Sequence, residues 1–211
     1  MIRLKYYSIF LSLLLPLFLL PTAPAHALTQ LEITLNDLGF SSGSKSIEIT
    51  RASCLARELF STGTSSYSKL TLQEINEITA SPDYKLPLDA VEGVNINLTC
   101  QYAYFVRDGI IKKYFPVSTG KRGHETKPGT FKIWYQFNGW WESTLYPGAM
   151  MYRPKYFDKN RALHGLKSDA SVHAYPASHG CVRTKVKMMD YLWKNMLKSD
   201  SVRVYGKYQW K

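Results

Sequence analysis

At Val94 the hydrophobic pattern of this chain changes period, and that change limits what each half can build. From Leu28 to about Ala80 the apolar residues recur at helical spacing. Leu31, Ile33, Leu35 and Leu38 mark a short helix that Gly39 ends, followed by a Ser/Gly loop at residues 41–44. Thr50 is a candidate cap for a second helix carrying Ala52, Leu55, Ala56, Leu59 and Phe60. Thr71 and Glu74 have the spacing of a capping box and open a third helix through Ile75 and Ile78. Residues 81–94, with Pro82, Pro87 and Gly93, read as a linker. Beyond it the spacing suits strands. Residues 95–106 read as one strand, Arg107-Asp108-Gly109 as a hairpin turn, and residues 110–117 as the returning strand. Another strand opens at Thr126-Lys127-Pro128-Gly129-Thr130-Phe131 and runs to Tyr135. Residues 186–197 return to helical spacing, and residues 201–205 alternate as a last strand. The expectation is an α+β chain: a small helical N-terminal domain (28–80) and a mainly-β domain (95–209) with a C-terminal helix.

The N-terminus bears on the compartment. Arg3 and Lys5 precede an almost unbroken apolar run, and Ala25-His26-Ala27 is a small-residue cleavage site. Residues 1–27 are therefore predicted to be a secretory signal peptide, with Leu28 the first mature residue. Pro16, Pro21 and Pro24 and the shortness of the run argue against a retained anchor. The 211-residue chain carries a formal charge of +11. Cleavage would remove two cations and no acid, taking +11 to +9. For an exported protein that balance disfavours nucleic acid and favours anionic cell-wall polymers as partners. No other apolar run is long enough to span a membrane, and the sequence is silent on oligomeric state.

The chemistry concentrates between His164-Gly165 and Tyr175-Pro176-Ala177-Ser178-His179-Gly180-Cys181-Val182-Arg183. A thiol is only slightly ionised at neutral pH, so a nearby imidazole must take its proton before it attacks a carbonyl. Glycines beside the nucleophile admit a substrate carbonyl and leave amide N–H groups for an oxyanion. Either residue type alone is usually structural, since a lone cysteine is most often a small core hydrophobe. A zinc site of His164, His173, His179 and Cys181 is the competing chemistry, but the paired short intervals of such sites are absent. Neither metal nor cofactor is expected. Gly120-Lys121 lacks the upstream glycine of a phosphate loop.

Ser-His-Gly-Cys-Val-Arg, preceded by a separate His-Gly, resembles the active-site signature of the L,D-transpeptidase catalytic domain (YkuD-type fold). Pro116-Val117-Ser118-Thr119-Gly120 and Thr126-Lys127-Pro128-Gly129-Thr130-Phe131 also resemble segments of that family. The second departs slightly from the usual Thr-Pro-x-Gly-x-Phe. The resemblance spans roughly residues 95–205. It implies an enzyme that takes a peptidoglycan tetrapeptide stem, releases its terminal D-Ala, and passes the acyl group through a cysteine thioester to an amine. A carboxypeptidase or endopeptidase that gives the thioester to water, and a catalytically silent wall binder, remain alternatives.

Carried over by this resemblance, Cys181 is the nucleophile and His164 the base, with the Gly165 carbonyl fixing its tautomer. The amides of His179, Gly180 and Cys181 would hold the oxyanion. Ser178 and Arg183 are candidate substrate contacts, Arg183 through a stem carboxylate. The family's thiol is also expected to react with carbapenems. The aromatic stretch 136–157 is either a wall of the substrate cleft, with Tyr152 expected to touch substrate, or sheet packing. His124 and His173 are expected to be solvated. The three short helices faintly resemble a small peptidoglycan-binding domain. With Cys181 reserved for chemistry, an odd cysteine count suggests a Cys54–Cys100 bridge between a helix and an early strand; three free thiols are the alternative.

Overall fold

The computed structural model describes residues 23–40 and 45–209. Most of the predicted leader and the loop at 41–44 lie outside the described residues. Three helices come first: α1 (Ala23–Asp37), α2 (Ser46–Phe60) and α3 (Leu72–Ala80). Gly39 closes α1 with φ +85°. Its N–H donates to Asn36 O and that of Phe40 to Leu35 O, the paired bonds of a Schellman motif. α2 begins a turn earlier than expected. Thr50 lies inside it and its hydroxyl donates back to Ser46 O at 3.0 Å, so it is not the cap. α3 opens on the predicted capping box of Thr71 and Glu74. Thr71→Ala is expected to cost about 1 kcal/mol, read as a lower urea midpoint at unchanged slope; no change would mean that the Arg57–Glu74 ion pair alone fixes this helix.

Among the described residues ten strands form two sheets. The first has order β3-β2-β1-β10-β4, from β1 (Gly93–Asn97), β2 (Tyr102–Arg107), β3 (Ile110–Pro116), β4 (Gly129–Lys132) and β10 (Ser201–Tyr205). The second has order β5-β7-β8-β9, from β5 (Tyr135–Gln136), β7 (Met150–Asp158), β8 (Arg161–Leu166) and β9 (Val182–Lys185), with β6 (Trp140–Glu142) also on β7. Helix α4 (Val186–Asn195) follows β9 directly.

The first sheet is covered on both faces. Tyr102, Tyr104 and Val106 share a core with Leu55, Leu59 and Ile78 of the helices. Ala103 and Phe105, pointing the other way, share a second core with Leu163 and Val182 of the other sheet and with Met189 and Leu192 of α4. The segment after α3 runs against this body: Lys85 N–H donates to Leu59 O, and Tyr84 OH accepts from Ile111 N–H.

Two expectations are corrected. Residues 95–106 are two antiparallel strands, not one. The chain reverses between Asn97 and Tyr102 with Gln101 at φ +50°, and Cys100 N–H donates to Asn97 Oδ1. Cys100 therefore sits in a turn, bonded to Cys54 of α2. The strand expected to continue to Tyr135 ends at Lys132, and Tyr135 begins β5 in the other sheet.

Candidate active site

Strands β8 and β9 run parallel, with Leu163 opposite Val182 and His164 opposite Arg183. Side chains alternate along each strand, and paired residues share a face. Leu163 and Val182 point into the second core. His164, Arg183 and, two residues before it, Cys181 point to the opposite face, where all three line a cavity of about 490 Å³. Two residues along one strand and one strand across is roughly 8 Å between Cα atoms, within reach of an imidazole and a thiol.

His164 is 4% exposed, and its Nδ1 lies 3.0 Å from the Gly165 carbonyl oxygen. A carbonyl only accepts, so Nδ1 carries the proton and Nε2 keeps its lone pair. Burial lowers the pKa of this imidazole from 6.5 to about 4; the Gly165 bond opposes the shift and Arg183 adds to it. The Cys181 sulfur accepts the Ala162 N–H at 3.4 Å and lies 3.9 Å from Asn160 O. Burial pushes the thiol pKa up, while the Ala162 N–H, Arg183 and Arg161 pull it down. Among the described residues no hydrogen bond joins ring and sulfur. At neutral pH the site therefore rests as a neutral thiol and a neutral imidazole, one proton transfer from a nucleophile.

Burial of His164 also links folding to pH. The unfolded imidazole takes its proton near 6.5 and the folded one only near 4. Stability from the neutral ring is complete above about pH 6.5 and is lost as pH falls towards 4, about 3 kcal/mol in all. Urea midpoints measured between pH 7 and 4 are expected to fall more steeply for the native protein than for His164→Gln. Parallel curves would contradict it.

The turn before β9 is held from several directions. The Ser178 hydroxyl donates to Cys181 O at 2.5 Å and accepts the Gly180 N–H at 3.0 Å. The Thr126 hydroxyl accepts the Gly120 N–H at 2.9 Å and donates to Gly180 O at 2.8 Å. Arg183 exchanges backbone hydrogen bonds with Ser118. Gly120 has no alternative, since a Cβ there would stand 1.9 Å from His124 O. Gly180 adopts φ +114°, and a Cβ on it would meet Arg161 Nε at 3.0 Å.

The structure brings His164, Gly165, Ser178, His179, Gly180, Cys181 and Arg183 together and sets Tyr152 apart. Ser178 borders the cavity, but it is buried and its hydroxyl serves the turn. The Gly180 amide is occupied by Ser178, which leaves those of His179 and Cys181 as the turn's candidate oxyanion donors. Arg183 borders the cavity with Nη1 3.5 Å from Ala177 O. His179 is exposed, its ring 4.6 Å from Tyr146 and 4.9 Å from His124. Tyr152 is not among the lining residues. Its hydroxyl donates to Asp190 on α4 at 2.9 Å, and its Cβ lies 3.2 Å from where a Gly165 Cβ would be, so it packs behind His164's strand. His173 is half-buried and stacked on Tyr175 rather than solvated.

Sequence reasoning missed Arg161 and Thr126. Arg161 lines the cavity, donates from Nε to Glu125 O at 3.1 Å and pairs with Asp158 at 2.8 Å. Leu145, Tyr146, Met150 and Met151 form an apolar wall. The aromatic stretch is thus both things at once: Tyr146 and Tyr156 line the cleft, while Trp140 packs on Tyr152.

The family model of the L,D-transpeptidase catalytic domain matches residues 92–204, more than half of the chain. An L,D-transpeptidase (residues 123–326) from Xylanimonas cellulosilytica superposes with TM-score 0.59 and 28% identity, over 85% of this chain and 93% of that one. An L,D-transpeptidase from Stackebrandtia nassauensis shares the fold at TM-score 0.54 and 23% identity, over 86% of this chain and 91% of that one. No curated protein sequence matches. With a mixed-sheet fold of this kind and a family match across β1 to β10, the chain belongs to the L,D-transpeptidase catalytic domain family.

Proposed function

We propose that this protein is a cysteine-dependent transpeptidase that acts on peptidoglycan stem peptides outside the cytoplasm. The observation that carries the reading is the common face of β8 and β9, where an imidazole with a free Nε2 and a lone free thiol border one cavity. Cys181 gives its proton to Nε2 of His164, and its sulfur attacks the carbonyl carbon of the third stem residue. The oxyanion is held by the amides of Cys181 and His179, a single such donor being worth about 2.7–4 kcal/mol. The bond to the terminal D-Ala then breaks, and the leaving amine takes the proton from Nε2. An acceptor amine attacks the thioester, its proton passes to Nε2, and the carbon–sulfur bond breaks to restore the thiol. Water in place of the amine makes the same site a carboxypeptidase. Arg183 and the basic mature surface suit carboxylate-bearing wall polymers. No described helix is long and apolar enough to cross a membrane, and the predicted leader supplies the export route.

Incubation with a defined tetrapeptide, with and without an amine acceptor, tests the reading by product mass. The expected result is release of D-Ala, a Cys181 adduct lacking that residue, and a cross-linked product when the amine is present. Release without cross-linking would assign the carboxypeptidase; no release and no adduct would remove the enzyme.

A further inference from the structure

The second sheet carries a rank of aromatic rings that this reaction leaves unused. Tyr135 pairs with Tyr156 across β5 and β7, and Tyr156 pairs with Ala162 across β7 and β8. Ala162 in turn donates its N–H to the Cys181 sulfur. Paired residues of neighbouring strands share a face, so Tyr135, Tyr156, Ala162 and Cys181 form one rank across the sheet. Tyr156 borders the cleft, and beyond it the rings continue outward. Trp134 lies 5.5 Å from Tyr156, Tyr135 lies 5.8 Å from Tyr156, and Trp141 lies 5.9 Å from Tyr135. Trp134 is 55% exposed, and Tyr135 and Trp141 are half-buried. A joined, partly exposed aromatic surface of this kind marks a binding face.

Its distance from the sulfur says what it binds. Strands lie about 4.8 Å apart, which puts Tyr156 about 10 Å and Tyr135 about 14 Å from the strand that bears Cys181. An extended peptide advances about 3.3–3.6 Å per residue, so three residues span about 10–11 Å. A stem whose third residue is held at Cys181 and which runs along this rank therefore ends, at its sugar-bearing terminus, on the rings. The apolar C–H faces of pyranose rings pack on such aromatic faces.

Building on the stem-peptide reading above, we propose that Trp134, Tyr135, Trp141 and Tyr156 form a subsite for the N-acetylated amino-sugar backbone that carries the donor stem. The test compares two donors, a free tetrapeptide and the same peptide attached to its amino-sugar disaccharide. The native enzyme is expected to favour the sugar-bearing donor in kcat/KM by about tenfold, which is about 1.4 kcal/mol. Trp134→Ala should abolish the preference, Trp134→Tyr should keep most of it, and the free tetrapeptide, which carries no sugar to stack, should serve both variants about as it serves the native enzyme. Equal kcat/KM for the two donors in the native enzyme, or a preference that survives Trp134→Ala, would overturn the subsite. Failure of both donors to acylate Cys181 would instead remove the stem-peptide reading. The subsite would then be judged by titrating the peptide-free disaccharide against tryptophan fluorescence: saturable quenching lost in Trp134→Ala upholds it, and no saturable change overturns it.

Discussion

His164→Gln is expected to lower the rate at which Cys181 is acylated by about 10²- to 10⁴-fold, the usual worth of a general base, while His179→Gln is expected to lower it by less than about tenfold. Glutamine keeps most of the volume and polarity of the buried ring but cannot carry a proton between sulfur and leaving amine. His164 is the histidine whose second nitrogen is already engaged, by the Gly165 carbonyl at 3.0 Å, and whose ring shares a face with Cys181. His179 has the nearer sequence position but an exposed ring set between Tyr146 and His124. In the proposed mechanism His179 contributes its backbone N–H, which glutamine retains. The rate is read by intact mass, using either a tetrapeptide or a carbapenem as acyl donor. Because burial holds His164 at about 4, the base stays neutral across the mildly acid range, and the acid limb of kcat/KM is expected near that value rather than near 6.5. The reverse order of the two substitutions would transfer the role of base to His179.

Features fixed by local chemistry were legible in the sequence, and those made by distant segments meeting were not. The capping box of Thr71 and Glu74, the Gly39 helix stop and the Asp108-Gly109 turn each depend on a few adjacent residues, and all three stand where expected. The reversal between β1 and β2 holds no Gly or Pro. It is made by the Asn97 side chain and by a cysteine bonded 46 residues away, so the sequence reads through it. Residues 130–135 hold no Gly or Pro to mark a break, and only the placement of Trp134 N–H on Tyr156 O shows that the chain has changed sheets.

The site divides in the same way. Cys181 and His164 were legible as candidates because Ser-His-Gly-Cys-Val-Arg and the separate His-Gly together resemble the family's signature. Thr126 and Arg161 act on the turn from segments that nothing in the sequence places beside it. Tyr152 was misjudged for a structural reason. The pairing of β7 with β8 slips between Tyr152 and Lys155, and Arg153 sits at φ +46°. Such a bulge breaks the alternation that an unbroken strand would impose, so counting along the aromatic run assigns Tyr152 to the wrong surroundings.

Removing the Cys54–Cys100 bridge is expected to be the most costly change to stability. The bridge joins α2 to the β1–β2 turn, and both sulfur-bearing residues are fully buried in the core shared by the helices and the first sheet. A cross-link that closes a loop of 46 residues restricts the unfolded chain by about 4 kcal/mol on the loop-entropy model. In a chain of this size that is about 8–16 °C in Tm. Cys54→Ala with Cys100→Ala removes both sulfurs together and leaves no new thiol to mispair with Cys181. The same loss should follow reduction of a Cys181→Ala protein, whose only disulfide is this one. Agreement of the two routes isolates the cross-link from the smaller loss of packing that alanine brings. A Tm that moves by less than about 2 °C on reduction would show that the helices hold to the sheet through packing alone, by Leu55, Leu59 and Ile78 against Tyr102 and Tyr104. The pairing also matters to the chemistry: an oxidising compartment claims two of the three cysteines for the fold and leaves Cys181 as the free thiol.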